Sequence, residues 1–359
     1  MKKQFFAAIC SLTMLAGAAG FAPALNLSGA DEITAEAVTW LGSEVKDNIR
    51  WYYYYSNDIN SMANYKIVKA EPVNSTVTHA KFPSTVNGYS INRIGDNVFK
   101  GNTQIKTAWI PSQIKNIDDN FFMNSTKLES ITLSSDLRCL GNNAFRHATK
   151  LQNIVVPNSC YWVGNYFCYD DDSLINVNIG NNVEDIGSNC CENCNYLRNV
   201  NIGSGLRRMG NYAFYGCNRM DTFNCTSTQI EEFGYGSLWN NKYADTWAAN
   251  HNNDPLIIGN MLYRYYKQAP TQMFAANFEG HNITYIYDYA FSAAAYQYGS
   301  SVRFFYMPDV EHIGIGAFIN CPNAWLLISR SKMQASYGDN YEEIIGARVH
   351  PNACIQWLS

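Results

Sequence analysis

One phrase returns along this chain at a fixed interval. Ile-Gly-Asp-Asn-Val-Phe begins at Ile94, and its relatives begin at Ile117, Leu140, Val163, Ile186 and Met209, each 23 residues after the last. A further copy starts at Phe233 after a step of 24, and two more start at Ile286 and Ile313, 27 apart. A constant period in this range marks a stacked-repeat architecture. It excludes folds that need unlike segments to meet once, because each repeat must meet the next in the same way.

With each start counted as position 0, whole columns stay apolar. Position +5 holds Phe99, Phe122, Phe145, Cys168, Cys191 and Phe214, and position +11 holds Ile105, Leu128, Leu151, Leu174, Leu197 and Met220. Positions +14 and +16 are apolar around a variable +15, the period-two pattern of a strand. Pro111, Pro157, Gly180 or Gly203 follows and ends it. After the start, Asp96, Asn142, Asn165, Ser188 or Asn211 is placed to cap the first N–H groups of a short helical turn. One coil cannot cover its own apolar face, whereas stacked coils share a core.

The stretches LQNIVVPNSCYWVGNYFC from Leu151 and LRNVNIGSGLRRMGNYAFYGC from Leu197 resemble the BspA-type leucine-rich repeat of bacterial and protist surface proteins. The opening coil from Tyr65 and the segment PLIIGNMLYRYY from Pro255 resemble that family too. The resemblance spans about Tyr65 to Ser329. It implies an α/β leucine-rich-repeat solenoid: one elongated, right-handed superhelical domain of short parallel strands with a helical turn per coil. The expected divisions are a signal peptide and short pro-segment over 1–37, an N-terminal cap and first coil over 38–93, and regular repeats over 94–238. An insert follows over 239–283, then C-terminal repeats and a cap over 284–359.

Lys2 and Lys3, the apolar run from Phe5 to about Ala22, and small residues suited to cleavage after Ala24 or Ala37 read as a secretory leader. The run is short for a membrane span and no second one follows, so the mature chain is expected outside the cell, without a transmembrane segment. A formal net charge of −4 gives no reason to expect nucleic acid as a partner.

Ten cysteines remain beyond Cys10, and an exported chain invites disulfides. Cys168/Cys191 and Cys194/Cys217 are each 23 apart and stack on adjacent coils. A coil spacing of about 4.8 Å suits the Cα atoms of a bridge, but parallel side chains hold Cβ atoms farther apart than the favoured ~3.8 Å. The columns already account for these thiols as small buried hydrophobes. Cys191-Glu-Asn-Cys194 lacks the second pair a zinc site needs, so neither a metal nor a cofactor is expected. Asp170-Asp171-Asp172 reads as a solvated turn without the spaced ligands of a calcium loop. No nucleophile motif or phosphate loop is present, so no catalytic residue is assigned.

Two sets of residues are candidate contacts. Position +15 presents Trp109, Thr132, Val155, Asn178, Asn201 and Asn224 outward on the strand face. Amides there suit a peptide backbone or a glycan, although stacked Asn side chains also bond to one another. Aromatic contacts come from Trp51, Tyr53, Tyr55, Tyr263 and Tyr265, unless these rings turn inward to cap the core. The expected function is a secreted, non-catalytic binding protein for an extracellular protein or glycan, with adhesion implied by the resemblance. The alternatives are a glycan-acting enzyme, with its site among Trp239, Trp247, His251, Asp254 and Glu279, and a plain structural spacer.

Overall fold

The computed structural model describes residues 42–56, 64–265, 272–274, 281–291 and 304–359. The leader expected over 1–37 lies outside them. Two parallel ladders run along the stack. The longer strands, Asn153–Val156, Asn176–Ile179, Asn199–Ile202 and Thr222–Cys225, pair so that each residue faces the one a repeat further on. His79–Lys81, Thr107–Trp109 and Ser130–Thr132 form a separate parallel sheet of the same kind nearer the N-terminus. A second ladder is built of two-residue strands such as Asn116–Ile117, Cys139–Leu140, Trp162–Val163 and Asp185–Ile186. Between the ladders lie the apolar columns. Leu128, Leu151, Leu174 and Leu197 at +11 are all fully buried, each stabilising its stack by about 1.5–3 kcal/mol.

The N-terminal cap is a meander. Gly42–Lys46, Ile49–Ser56 and Asn64–Pro72 pair antiparallel in succession, and the third strand then pairs parallel with Tyr89–Ile94. The first hairpin turns at Asp47 and Asn48, both at positive φ, which matches the right-handed strand twist. Alternation sends Trp51 and Tyr53 inward. Trp51 closes the end of the core against Phe82, with ring centroids 4.7 Å apart, and against Phe99 at 6.1 Å.

The turn after each coil start is not a short helix. Position +3 is left-handed in coil after coil, at Asn97, Asn120, Asn143, Tyr166, Asn189, Tyr212, Gly236, Tyr289 and Gly316. Position +7 is left-handed as well, from Gly101 through Asn124, His147, Asp170 and Asn193 to Gly216 and Asn240. Alternate N–H groups therefore point along the stack instead of back into their own turn. Those of Asn97, Phe99 and Gly101 donate to the carbonyls of Asp119, Phe121 and Met123 one coil on. The side chain at +2 also reaches across coils. Asp96 accepts from the Asp119 N–H, Asp119 from Asn142, Asn142 from Asn165 and Asn165 from Ser188, at 2.7–3.0 Å. The capping expected inside a coil is thus carried out between coils. This close approach explains the glycine at +1. A Cβ on Gly187 would lie 2.5 Å from Asn165 N and 2.6 Å from Gly164 C.

The regular stack breaks after Glu232–Phe233. Helix α1, Lys242–Asn250, is capped by Asn241, whose side chain accepts from the Ala244 N–H. The hairpin Leu256–Ile258/Met261–Arg264 then restarts the two-residue ladder, which continues through Tyr285–Ile286 and His312–Ile313. Asn260 spans the break. Its Oδ1 accepts from the Ile230 N–H at 2.8 Å, and its Nδ2 donates to the Ile230 carbonyl at 3.0 Å and to Thr284 Oγ1 at 2.6 Å. One core runs from Ile49 to Tyr263 and Tyr287, and a second from Leu262 to Val349. Helices α2 (Arg330–Tyr337) and α3 (Tyr341–Gly346) precede the strand Cys354–Leu358, which pairs parallel with Trp325–Ser329.

The cysteines from Cys139 to Cys354 are unbridged. At +8, Cys194 Sγ donates to the Cys168 carbonyl at 3.0 Å and Cys217 Sγ to the Cys191 carbonyl at 3.2 Å. Ser125 at the same position donates to Phe99 at 2.7 Å. The column takes small buried residues, Ala148 among them, and where it carries a donor a thiol serves as well as a hydroxyl. Burial pushes the Cys160 thiol up to about 12 and those of Cys225 and Cys321 to about 11.

Asp171 occupies this same column, so the expected solvated turn is only partly solvated. Asp172 is exposed and accepts from Asn195 Nδ2 at 3.1 Å. Asp171 is fully buried, with neither carboxyl oxygen in a well-formed hydrogen bond. Burial holds its pKa well above the ordinary carboxylate value, and Cys194 adds to the shift.

Candidate functional site

The long-strand face turns its predicted residues outward. Trp109 and Val155 are 43% and 58% exposed, Thr132, Asn201 and Asn224 are exposed, and Asn178 is half-buried. Register sets Trp109 beside Thr132, and Val155, Asn178, Asn201 and Asn224 in one row. Lys81 lies over the Trp109 ring at 5.7 Å. In the neighbouring +13 row the amides bond to one another. Asn176 Nδ2 donates to Asn153 at 2.6 Å, Asn199 to Asn176 at 2.7 Å, and Thr222 Oγ1 to Asn199 at 3.0 Å. Asn201 Nδ2 likewise donates to Asn178 at 2.9 Å. The middle of the face is thus a self-satisfied amide ladder with apolar groups beside it.

Beyond the break the corresponding face is aromatic. Phe304, Tyr306 and Leu327 are half-buried and Trp325 is 47% exposed, with Phe304 opposite Trp325 and Tyr306 opposite Leu327 in register. The predicted site omitted these residues. The alternation in Phe304–Met307 and Trp325–Ser329 carries the signal that would have found them.

Most of the proposed aromatic contacts turn inward. Trp51, Tyr53, Tyr263 and Tyr265 are all buried, and the side chain of Tyr55 lies outside the described residues. Tyr263 stacks on Tyr287 at 4.7 Å, and both pack against Phe233, so this trio fills the joint between the two cores. Burial there outweighs any service as an outside contact.

Further rings at the surface lie along the left-handed turns. Tyr166 and Tyr235 are exposed, and Tyr169, Tyr212, Tyr215 and Trp239 are half-buried. Tyr212 meets Tyr215 and Tyr235 at 5.7 Å each, and Tyr235 meets Trp239 at 4.5 Å, all edge-on. Where this rib reaches the break, a groove of about 330 Å³ opens beside Trp239, with Asn240, Asp245 and Arg264 on its walls.

The remaining members of the expected enzyme site do not converge on a cleft. Trp247 Nε1 donates to the Asp254 carbonyl at 2.8 Å, and His251 stacks on Trp247, tying off the end of α1. Glu279 lies outside the described residues. Among the residues lining the groove, Asp245 is the one carboxylate, whereas the usual glycosidase arrangement uses a facing pair. No cluster of metal-ligating side chains occurs among the described residues, and no helix there is long and apolar enough to cross a membrane.

A sequence profile of the BspA type leucine rich repeat region matches in 6 copies over residues 74–197 and 162–293. No curated protein matches in sequence. Among solved structures, a leucine rich repeat protein of T. pallidum is 23% identical, covering 54% of this chain and 86% of its own, with a TM-score of 0.47. A leucine rich cell surface protein of Faecalibacterium prausnitzii is 18% identical over 80% of this chain and 76% of its own, also at 0.47. The Pneumococcal vaccine antigen PcpA is 12% identical over 80% and 81%, at 0.36. These are likenesses of fold.

Proposed function

The chain belongs to the BspA-type leucine-rich-repeat family, and from that premise we propose that it is an exported recognition module that binds a partner protein across its long-strand face. The observation that carries this reading is the state of that face. Val155 and Trp109 stand 58% and 43% exposed on two successive parallel sheets of the stack, and the sheet of Val155 carries amides that already bond to each other. A β-branched side chain and an indole left in water on one surface are what a partner can desolvate. The amide ladder adds donors and acceptors without the desolvation cost of charges. The leader-like segment over residues 1–37 supports export. The single carboxylate at the groove by Trp239 favours binding over glycoside hydrolysis.

The test is binding of the purified chain to a panel of immobilised extracellular proteins, alongside Val155→Lys and Trp109→Ala. Saturable binding that weakens in both variants is expected. Binding indifferent to both would move the site elsewhere, and no saturable partner would leave the spacer reading.

A further inference from the structure

The groove beside Trp239 is built differently from the strand face and has its own chemistry. Trp239 lines the groove, and Tyr235 meets its ring edge-on with centroids 4.5 Å apart, buttressing it. Around them stand an amide, a carboxylate and a guanidinium: Asn240, Asp245 and Arg264. Asn240 is held in place by its Nδ2 donating to Tyr215 Oη at 2.7 Å. Arg264 is anchored by Nη1 donating to the Asp288 carbonyl at 2.5 Å. The next residue after Asn240, Asn241, is fully buried with Nδ2 lacking a hydrogen-bond partner among the described residues. One acid and one base leave the groove formally neutral.

The rings leading to it stand at a cost. Position +3 requires a left-handed backbone, which Asn or Gly supplies in most coils, yet Tyr212 occupies it at φ 56°. A bulky side chain there costs on the order of 1–2 kcal/mol. The Tyr212 ring recovers part of this by lying over Gly236 of the next coil, where a Cβ would come 2.7 Å from Cε1. That packing keeps the ring against the surface at the approach to Tyr235. Strain that recurs at an exposed aromatic rib is a reason to look for a ligand there.

We propose that this groove binds a neutral saccharide of one or two rings, with Trp239, backed by Tyr235, against the apolar face of a sugar and Asn240, Asp245 and Arg264 taking its hydroxyls. A pyranose offers an apolar C–H face and a rim of hydroxyls that both donate and accept. Rings beside fixed polar groups of both kinds match that combination. The volume stands at the small end of ligand pockets, which suits one or two rings and not a long chain. The site is separate from the strand face and stands or falls without it.

The experiment is calorimetric titration of the full chain with cellobiose, maltose and N,N′-diacetylchitobiose. At least one is expected to bind saturably. Trp239→Ala and the exposed Asp245→Asn should each weaken it by about tenfold, while Tyr196→Ser, a ring elsewhere on the surface, should leave it unchanged. Asp245→Asn keeps the test decisive if Trp239→Ala fails to fold. Val155→Lys should leave sugar binding intact even if it abolishes partner binding. The proposal is overturned if none of the three sugars saturates, or if binding survives unchanged in Asp245→Asn and in folded Trp239→Ala.

Discussion

Asn260 is where the two cores are joined, and replacing it should separate them. Its amide imitates a strand by giving Ile230 both a donor and an acceptor, and it holds Thr284 on the other side of the break. Asn260 is 4% exposed and Ile230 2%, so water cannot replace what is lost. Asn260→Leu orphans the Ile230 N–H and carbonyl. At about 1–3 kcal/mol for each unsatisfied buried group, less the gain from an apolar side chain, the expected loss is about 3 kcal/mol. In a stack of nearest-neighbour interfaces that loss falls on one junction, so the region after the break should open before the region preceding it. Hydrogen exchange read separately for residues 64–230 and 281–359 measures this. Asn260→Asp gives a second handle. Its carboxylate can still accept from Ile230 N–H but opposes the Ile230 carbonyl. It should therefore be the more damaging variant at pH 8 and recover near pH 4, where a protonated oxygen can donate. Asn260→Leu within about 0.5 kcal/mol of the parent, with exchange unchanged after the break, would refute the reasoning.

Asp118 is buried, and that burial outweighs the Arg93 guanidinium at 2.8 Å, pushing its pKa up to about 6 from 3.8. The folded state then holds the proton more tightly than the unfolded one. This group's contribution is greatest below about pH 4 and falls by about 3 kcal/mol as pH rises through 6; Asp118→Asn should flatten ΔG over that window, and parallel curves would contradict it. Asp171→Ser restores the small donor its column uses, and because the Asp171 pKa is raised by burial, chemical denaturation should show a larger gain at pH 8 than at pH 4. Gly187→Ala should cost about 3 kcal/mol or more, since its Cβ meets backbone of the preceding coil, whereas Gly346→Ala, with nothing within 4 Å, should stay within about 1 kcal/mol in the same melt. In the native protein at pH 8 a thiol reagent should modify the exposed Cys354 well before any buried cysteine; several thiols reacting at its rate would show the stack to be open.

The apolar columns were legible because they depend only on spacing. Leu128 or Val200 is buried wherever the stack forms, and a 23-residue ruler finds both. Alternation in the cap sends half of its rings inward but does not say which half, and Trp51 and Tyr53, named as contacts, are the inward ones. The turn was not legible in the same way. Asp96, Asn142 and Asn165 at +2 read as caps of a helical turn, whereas the residue that sets the turn is the next one, left-handed at Asn97, Asn143 and Tyr166. With Tyr166 and Tyr212 in that column, residue type conceals what position requires. The acidic runs misled for the same reason. Asp170-Asp171-Asp172 reads as a wet turn by composition, but the ruler places Asp171 in the column of Ser125, Cys194 and Cys217, inside the core.

In a stack, then, position carries more information than residue type, and a residue that disagrees with its column must be held by something its neighbours lack. Asp118 stands in the glycine column and has Arg93. Tyr287 stands in the same column at the break, where its hydroxyl donates to the Gly234 carbonyl at 2.8 Å and its ring fills the joint. Tyr212 stands in the left-handed column and has Gly236 to lie on. For Asp118 and Tyr287 the partner is internal, since both are buried, and nothing is left to offer outside. Tyr212 differs, because its ring remains half in solvent and leads through Tyr235 to Trp239 and a groove with polar walls. A departure that is compensated inside the fold calls for no ligand, and one that leaves aromatic surface in water beside fixed hydrogen-bonding groups does. That distinction, more than the abundance of tyrosine along the chain, singles out the rib by Trp239 from the other rings.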